Sequence, residues 1–303
     1  MLNYKSAKGL YAALSGIEHY RENKPTTFYH YTSLAGFVGM MSDYNASDEE
    51  NCIVRLHSAH IRFSNDTREF KIGEDEVKRY LKCDDCFNKE CSLRSEGSQV
   101  FVACFCKGED LLHQWTCYGS GGGIAIEFDF TNILVSWWEN LDRAKPLRIS
   151  PIGVYYNQKE FRKKVEEIAG DSINMTKEQR CSLLYAYMAL RKDKAFKSEL
   201  ESRLIFWPIN YEESKTLIKR KILRNIIVPY IDVKLLPIDK KKPIIKSVIV
   251  GPSANQNTVF HAVFHTLEPQ SEKRIFYEDS EIHKGIDTSN HIHIALSKVP
   301  FRS

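Results

Sequence analysis

The apolar residues of this 303-residue chain come in short runs separated by polar stretches, and this spacing limits the folds available to it. The longest runs, such as those at residues 226–228 and 248–250, have the length of strands. A helix that crosses a bilayer needs about 20 apolar residues in succession. With 43% hydrophobic and 27% charged residues, the composition is that of a globular chain. We therefore expect a chain that folds in water and has no membrane partner.

The first residues and the cysteines indicate a reducing, cytoplasmic environment. The stretch MLNYKSAKGLYAALSG lacks a compact apolar segment that ends in a small-residue cleavage site, so a secretory signal is not expected. Eight cysteines in a chain of this length do not resemble a disulfide scaffold, and clustered thiols are then metal ligands or buried packing groups. The net charge of +4 implies no polyanionic partner by itself.

Strand-like and helix-like segments follow one another without strict alternation, which predicts the α+β class with mixed or antiparallel sheets and flanking helices. No repeat or Gly/Ser-rich linker divides the chain, so a single domain is expected. Residues 1–25 are predicted to form an N-terminal helical extension. Residues 26–303 are predicted to form the domain, with a cysteine-bearing insertion at about 71–98.

The segment 196–206 carries two glutamates and an arginine at alternating positions. If residues 199–206 form a strand, its period of two places Glu199, Glu201 and Arg203 on one face. Two carboxylates about 7 Å apart repel each other, and the guanidinium offsets part of that repulsion. One carboxylate of such a pair could hold a substrate hydroxyl while the other steers the attacking group. The alternative is a solvated strand face with an ordinary cross-strand ion pair.

An aromatic segment at residues 28–33 is a second candidate. Strand alternation places His30 and Thr32 on one face and Tyr29 and Tyr31 on the other. A histidine beside a hydroxyl can hydrogen-bond ribose hydroxyls or an amide carbonyl. The alternative is a half-buried histidine whose ring is satisfied by backbone groups.

A third candidate lies before a glycine-rich turn at residues 119–123. Trp115 and Tyr118 are one helical turn apart, so both rings can line one cleft and stack on a planar heterocycle. The glycines match neither the phosphate-binding loop nor the dinucleotide fingerprint. A hairpin turn with core aromatics is the alternative.

Cysteines and basic residues form two further groups. Cys83, Cys86 and Cys91 have the spacing C-x2-C-x4-C, which predicts three ligands of a structural zinc; unligated surface thiols are the alternative. The candidates for a fourth ligand are Cys52, His57 and Cys106. The basic residues at 219–224 and 240–246 could contact nucleic-acid phosphates, although such runs are more often solvated loops.

Six segments in order resemble a widespread bacterial family known as domain of unknown function 2971. They are FYHYTSLAGFVGMM, IRFSNDTREF, VFVACFCKGEDLLHQWTCYGSGGGIAIEFDF, FKSELESRLIF, IKSVIVGPSANQN and SKVPFR. The resemblance extends from about Tyr29 to Arg302. Its polar motif of Asn65, Asp66 and Glu69 has no assigned role, and bracing a turn is one reading of it.

This family in turn resembles ADP-ribosyltransferases, several of which are toxins or phage-defence effectors. The resemblance implies an ADP-ribosyltransferase-like fold with NAD as substrate. Breaking the nicotinamide–ribose bond builds positive charge on the ribose, and Glu201 would bind the 2′-hydroxyl and stabilise that charge. Glu199 would orient the nucleophile. His30 and Thr32 would hold the adenosine ribose, and Tyr118, with Trp115 as the alternative, would stack on nicotinamide. The expected NAD-binding residues are His30, Tyr31, Thr32, Trp115, Tyr118 and Arg203.

The expected function is therefore NAD-dependent transfer of ADP-ribose to a macromolecular acceptor, a protein or a nucleic acid. As a toxin or antiviral effector, such an enzyme would be restrained by an antitoxin. Two alternatives are an NAD glycohydrolase, and a non-catalytic module that binds nucleic acid or protein and contains a structural zinc.

Overall fold

The computed structural model describes residues 27–44, 52–64, 68–81, 99–119, 122–136, 149–170, 177–206, 216–223, 225–267, 275–277 and 291–300. The helical extension expected at residues 1–25 lies outside the described residues, as do Cys83, Cys86 and Cys91. In the described part, twelve strands belong to one mixed sheet, with helices beside it. The predicted combination of a mixed sheet and flanking helices is thereby confirmed.

The strands are β1 (Thr27–Thr32), β2 (Val54–His60), β3 (Phe101–Cys106), β4 (Ile124–Asp129), β5 (Ile133–Ser136), β6 (Ile152–Gly153), β7 (Glu201–Phe206), β8 (Lys219–Leu223), β9 (Ile226–Pro237), β10 (Ile245–Val250), β11 (Ile275–Tyr277) and β12 (Ile292–Leu296). The helices are α1 (Leu34–Met40), α2 (Glu69–Leu81), α3 (Leu112–Tyr118), α4 (Gln158–Ala169), α5 (Lys177–Met188) and α6 (Gln256–Leu267). Short 3-10 helices span Ile61–Phe63, Phe130–Asn132 and Lys194–Glu199. None of the described helices is long and apolar enough to cross a bilayer.

Strand β3 is the point at which the sheet divides. One edge of β3 pairs with β7 along its whole length, from Phe101 to Cys106. On its other edge, Cys106 pairs with β1, whereas Phe101 and Val102 pair with β2. A strand has only two edges, so β1 and β2 share this one, and β1 separates from β3 after Tyr29, on the side of Cys106 that leads toward Cys104. The separation leaves a split between β1 and β3.

Helix α1 follows β1 directly because Ser33 caps it. The Ser33 hydroxyl accepts a hydrogen bond of 3.1 Å from the backbone N–H of Gly36, which satisfies one of the unpaired donors of the first turn. The cap fixes where β1 ends and therefore sets the position of His30 two residues before that end.

Of the insertion expected at about residues 71–98, the structure describes residues 71–81. Residues 69–81 form α2, and its Phe70 and Val77 side chains are buried in the main core. The helix packs against α5 so closely that a Cβ on Gly73 would lie 2.2 Å from the carbonyl oxygen of Met188. The polar face of this helix carries glutamates that pair with buried cations.

Candidate active site

Strand β1 presents His30 to the split in the sheet. The ring nitrogen Nδ1 lies 2.8 Å from the carbonyl oxygen of Cys104, and the ring packs 5.5 Å from that of Phe105. Because a carbonyl oxygen only accepts, Nδ1 carries the proton and Nε2 keeps its lone pair. Burial lowers the pKa of His30, so the neutral ring is the form present at neutral pH.

Tyr29 and Tyr31 point to the opposite face of β1, as the alternation predicted. They belong to a small apolar cluster in which Tyr31 meets the ring of Trp115 edge-on at 4.7 Å. The indole N–H of Trp115 donates to Asp110 at 2.8 Å. Trp115 is thus held as a packing residue behind the site.

Strand β7 places Glu201 beside the end of β3, opposite Cys106. Both of its carboxylate oxygens are bound by cations: Oε1 lies 2.6 Å from Nε of Arg203, and Oε2 lies 2.5 Å from Nζ of Lys192. Burial alone would raise the pKa of Glu201, but Arg203 and Lys192 outweigh it and lower the pKa to about 2. Glu201 is therefore ionised and fixed in position.

Lys192 joins three carboxylates in a buried cluster. Its ammonium lies 2.9 Å from Glu69, 2.6 Å from Glu199 and 2.5 Å from Glu201. Arg203 also reaches Glu69, at 2.8 Å. Burial would lower the pKa of Lys192, yet Glu201 and Glu69 raise it above its usual range. Three carboxylates thus face two cations, and the cluster carries one excess negative charge when all five groups are ionised.

The prediction that Glu199 lies on the same strand face as Glu201 was wrong. Glu199 is the last residue of a 3-10 helix, and β7 begins only at Glu201. Between them, Leu200 has the left-handed backbone conformation, with φ 48°, which interrupts strand alternation. The two glutamates nevertheless converge, because the turn brings both carboxylates to the ammonium of Lys192.

A cavity of about 100 Å³ lies at the split between β1 and β3. It is lined by Tyr29, His30, Tyr31, Cys104, Phe105, Cys106, Gln114, Tyr118, Glu199 and Glu201. Five predicted site residues from three separate segments contribute to this lining, namely His30, Tyr31, Tyr118, Glu199 and Glu201, although the side chains of His30 and Tyr31 leave opposite faces of β1. Thr32, Trp115 and Arg203 do not line this cavity, and Arg203 lies behind Glu201 with 1% of its surface exposed.

Tyr118 stands at the end of α3, on the side of the cavity where the glutamates lie. Its side chain is partly exposed, unlike that of Trp115 one turn earlier. Burial of its hydroxyl raises the pKa of Tyr118, and the nearby Cys104, Glu201 and Glu199 raise it further, so the phenol stays protonated. Of the two aromatic candidates, Tyr118 is the one available to contact a bound ring.

The expected zinc ligands cannot be placed, since Cys83, Cys86 and Cys91 fall outside the described residues. Within the described residues, no group of three or more His, Cys, Asp or Glu side chains is arranged to hold a metal ion. The thiol of Cys106 donates to the carbonyl oxygen of Gly108, and His57 lies 3.3 Å from Asp232.

Sequence reasoning missed three residues that build the site. Lys192 and Glu69 complete the ionic cluster, and the hydroxyl of Tyr156 accepts a 2.9 Å hydrogen bond from the backbone N–H of Glu201. The sequence signal for Lys192 is the basic pair at residues 191–192, directly after the apolar run 183–190. Basic side chains that follow a buried helix end are themselves close to the core and therefore require acidic partners. For Glu69, the signal was its place in the unassigned polar motif.

Comparison with known proteins bears on part of this site. No curated protein and no solved structure matches the chain. Residues 114–204 match the model of a family described as Protein of unknown function (DUF2971). This segment contains Tyr118, Lys192, Glu199 and Glu201, whereas His30 lies before it. The match supports the predicted resemblance to this family over residues 114–204.

Proposed function

We propose that the protein consumes NAD and transfers ADP-ribose to a macromolecular acceptor. One observation carries the proposal: His30, Tyr118, Glu199 and Glu201, predicted for this chemistry from separate segments, line a single cavity. Its volume of about 100 Å³ is below the roughly 150 Å³ of a cavity that holds benzene, so a nicotinamide ring would fit only if the split widens. The nicotinamide end of NAD is the part that would reach it.

The excess negative charge of the ionic cluster suits the proposed bond cleavage. The C1′–N bond of NAD breaks, its electron pair passes to the pyridinium nitrogen, and neutral nicotinamide leaves. Positive charge then develops on the ribose beside Glu199 and Glu201. A fixed carboxylate stabilises this charge more in the transition state than in the ground state. The acceptor supplies the electron pair of the new bond to C1′ and loses its proton.

Replacing Glu199 by glutamine tests the proposal with little disturbance of the fold. The carboxylate pairs with Lys192 alone among the described cations, while Glu201 keeps Arg203. We expect nicotinamide release from NAD to fall by about 100-fold or more. Glu76→Gln is the matched control, because Glu76 pairs with buried Arg191 at 3.1 Å but does not line the cavity.

One label, in the adenosine half of NAD, separates transfer from hydrolysis. Label in the adenosine half that becomes attached to protein or nucleic acid of a cell lysate supports transfer. Label found only in small molecules assigns the hydrolase alternative. Equal turnover by Glu199→Gln and Glu76→Gln, or no nicotinamide release by the wild-type chain with lysate present, contradicts the proposal.

A further inference from the structure

The hairpin formed by β8 and β9 ends in four exposed aliphatic side chains. The exposed fractions are 78% for Ile222, 49% for Leu223, 54% for Ile226 and 62% for Ile227. The turn between the strands contains Asn225, whose φ of 63° is a left-handed conformation that asparagine adopts at low cost. These aliphatic residues form a contiguous group in the hairpin, which we call the hairpin tip.

The hairpin tip extends beyond the sheet. β8 pairs with β9 from Lys219 opposite Tyr230 to Leu223 opposite Ile226. On the other edge of β9, the pairing with β2 begins only at Tyr230. Among the described strands, residues 226–229 therefore pair with β8 alone. Val228 is nevertheless buried, so of β9 only residues 226 and 227 stand clear of the body.

Both faces of the hairpin tip are apolar. Leu223 and Ile226 are directly opposite each other on one face, and Ile222 and Ile227 are opposite each other on the other face. A protein groove that covered one face would leave the other pair of aliphatic side chains in water. An occupant that surrounds the tip removes all four from water.

Basic residues lie directly behind the hairpin tip. Lys219, Arg220 and Lys221 precede Ile222, and a rise of about 3.3 Å per residue places them roughly 5–15 Å from the turn. Peripheral elements bury their apolar side about 5–10 Å below the membrane surface. The cationic residues would then lie at the depth of the lipid phosphates.

We propose that the hairpin tip inserts into the surface of a bilayer that contains anionic lipids. The aliphatic side chains enter the boundary between headgroups and acyl chains, and the exposed Arg220 lies at the phosphates, whereas the ammonium of Lys221 lies 5.3 Å from the centre of the Tyr230 ring. The expectation of no membrane partner rested on the lack of a bilayer-spanning run, and a hairpin at the surface needs none. This inference is independent of the NAD chemistry.

Other occupants fit the hairpin less well. Pairing of β8 with β8 of a second copy would bring Lys219, Arg220 and Lys221 close to their own counterparts, and like charges on adjacent strands repel. Nucleic acid would bind the basic residues but leave the aliphatic side chains in water. An anionic bilayer accommodates both features.

Co-sedimentation of the full chain with lipid vesicles tests the proposal. Vesicles of phosphatidylcholine alone are compared with vesicles of phosphatidylcholine and phosphatidylglycerol. We expect the anionic vesicles to bind the chain, and the double variant Ile222→Ser/Ile227→Ser to bind them about tenfold or more weakly. Arg220→Gln is expected to weaken binding about fivefold, since each cation near an anionic surface contributes about 1 kcal/mol.

Val38→Ser is the matched control, because Val38 is 59% exposed on α1, outside the hairpin. It should bind as the wild-type chain does, and circular dichroism should show all variants folded. Failure of the wild-type chain to bind anionic vesicles overturns the proposal, and so does full binding by the double variant. Binding of duplex DNA without vesicle binding assigns the hairpin to nucleic acid and also overturns it.

Discussion

Replacing Lys192 by methionine removes the ammonium that contacts three carboxylates of the buried cluster. Methionine retains most of the volume and the flexible stem of lysine, so the packing around the stem changes little. Glu69 and Glu201 then keep Arg203 as their cation, and Glu199 loses its contact with Lys192. The variant therefore isolates the electrostatic contribution of Lys192 to the free energy of unfolding.

Two lines of reasoning give the magnitude. Removing one partner of a buried ion pair costs about 3–5 kcal/mol, because the remaining charge stays buried without compensation. Independently, the pKa of Glu201 falls from 4.5 to about 2. At about 1.4 kcal/mol per pH unit, this corresponds to on the order of 3 kcal/mol from Arg203 and Lys192 together, after the cost of burial. Either value is a large share of the roughly 5–15 kcal/mol that stabilises a typical protein.

Urea unfolding followed by fluorescence measures the loss. At neutral pH we expect Lys192→Met to lower the free energy of unfolding by about 3 kcal/mol. Because the folded-state pKa of Glu201 is depressed, its contribution is present above about pH 4.5 and is lost as the pH falls toward about 2. The difference between variant and wild type should shrink over that same interval.

Lys246→Met supplies the control for this experiment. Lys246 lies 3.3 Å from Asp129 but is about half exposed, so its loss should cost less than about 1 kcal/mol. A loss for Lys192→Met no larger than that of Lys246→Met would refute the reasoning. Such a result would mean that water screens the cluster, so that removing one cation barely changes the free energy of the remaining carboxylates.

Two further predictions concern packing and thiol chemistry. Gly73→Ala should destabilise the fold by about 1–3 kcal/mol in urea unfolding, because its Cβ would lie 2.2 Å from the carbonyl oxygen of Met188. Gly39→Ala on α1 is the control and should be neutral or stabilising, because a Cβ there meets nothing within 4 Å. Burial raises the pKa of Cys106 to about 12, so its thiol should not react with iodoacetamide until the protein unfolds. The exposed Cys117 should be alkylated in the folded protein, and mass spectrometry distinguishes the two sites.

The local elements of the fold were accessible from the sequence because their signals are local. The apolar pattern of residues 245–250 predicts a strand, and β10 occupies those residues. The pattern from about Asn257 to Leu267 predicts a helix, and α6 begins one residue earlier. Ser33 stands directly before a helical pattern and thereby predicts the cap found there, since capping depends on neighbouring residues only. A side-chain period of two or 3.6 is sufficient for such features.

The ionic cluster could not be predicted in the same way. Its members come from α2, the segment after α5, the 3-10 helix Lys194–Glu199 and β7, and nothing in the local pattern shows that Glu69 would meet Arg203. The error at Glu199 has a specific cause, because leucine gives no sign that residue 200 adopts a left-handed conformation. Pairings between distant segments are set by tertiary packing, which one sequence does not reveal.

The two glutamates of the site differ in how much of their carboxylate is available to a substrate. Arg203 and Lys192 bind both oxygens of Glu201, and only 6% of this residue is exposed, so a ribose hydroxyl would compete with two charge-assisted hydrogen bonds. Glu199 contacts Lys192 through Oε2 and lies in the wall of the cavity at the end of its helix. Loss of activity in a Glu201 variant would therefore mix catalysis with stability, because the same carboxylate holds two buried cations in place. A variant at Glu199 separates catalysis from stability. For this reason the NAD turnover of Glu199→Gln relative to that of Glu76→Gln is the sharper measure of the chemistry.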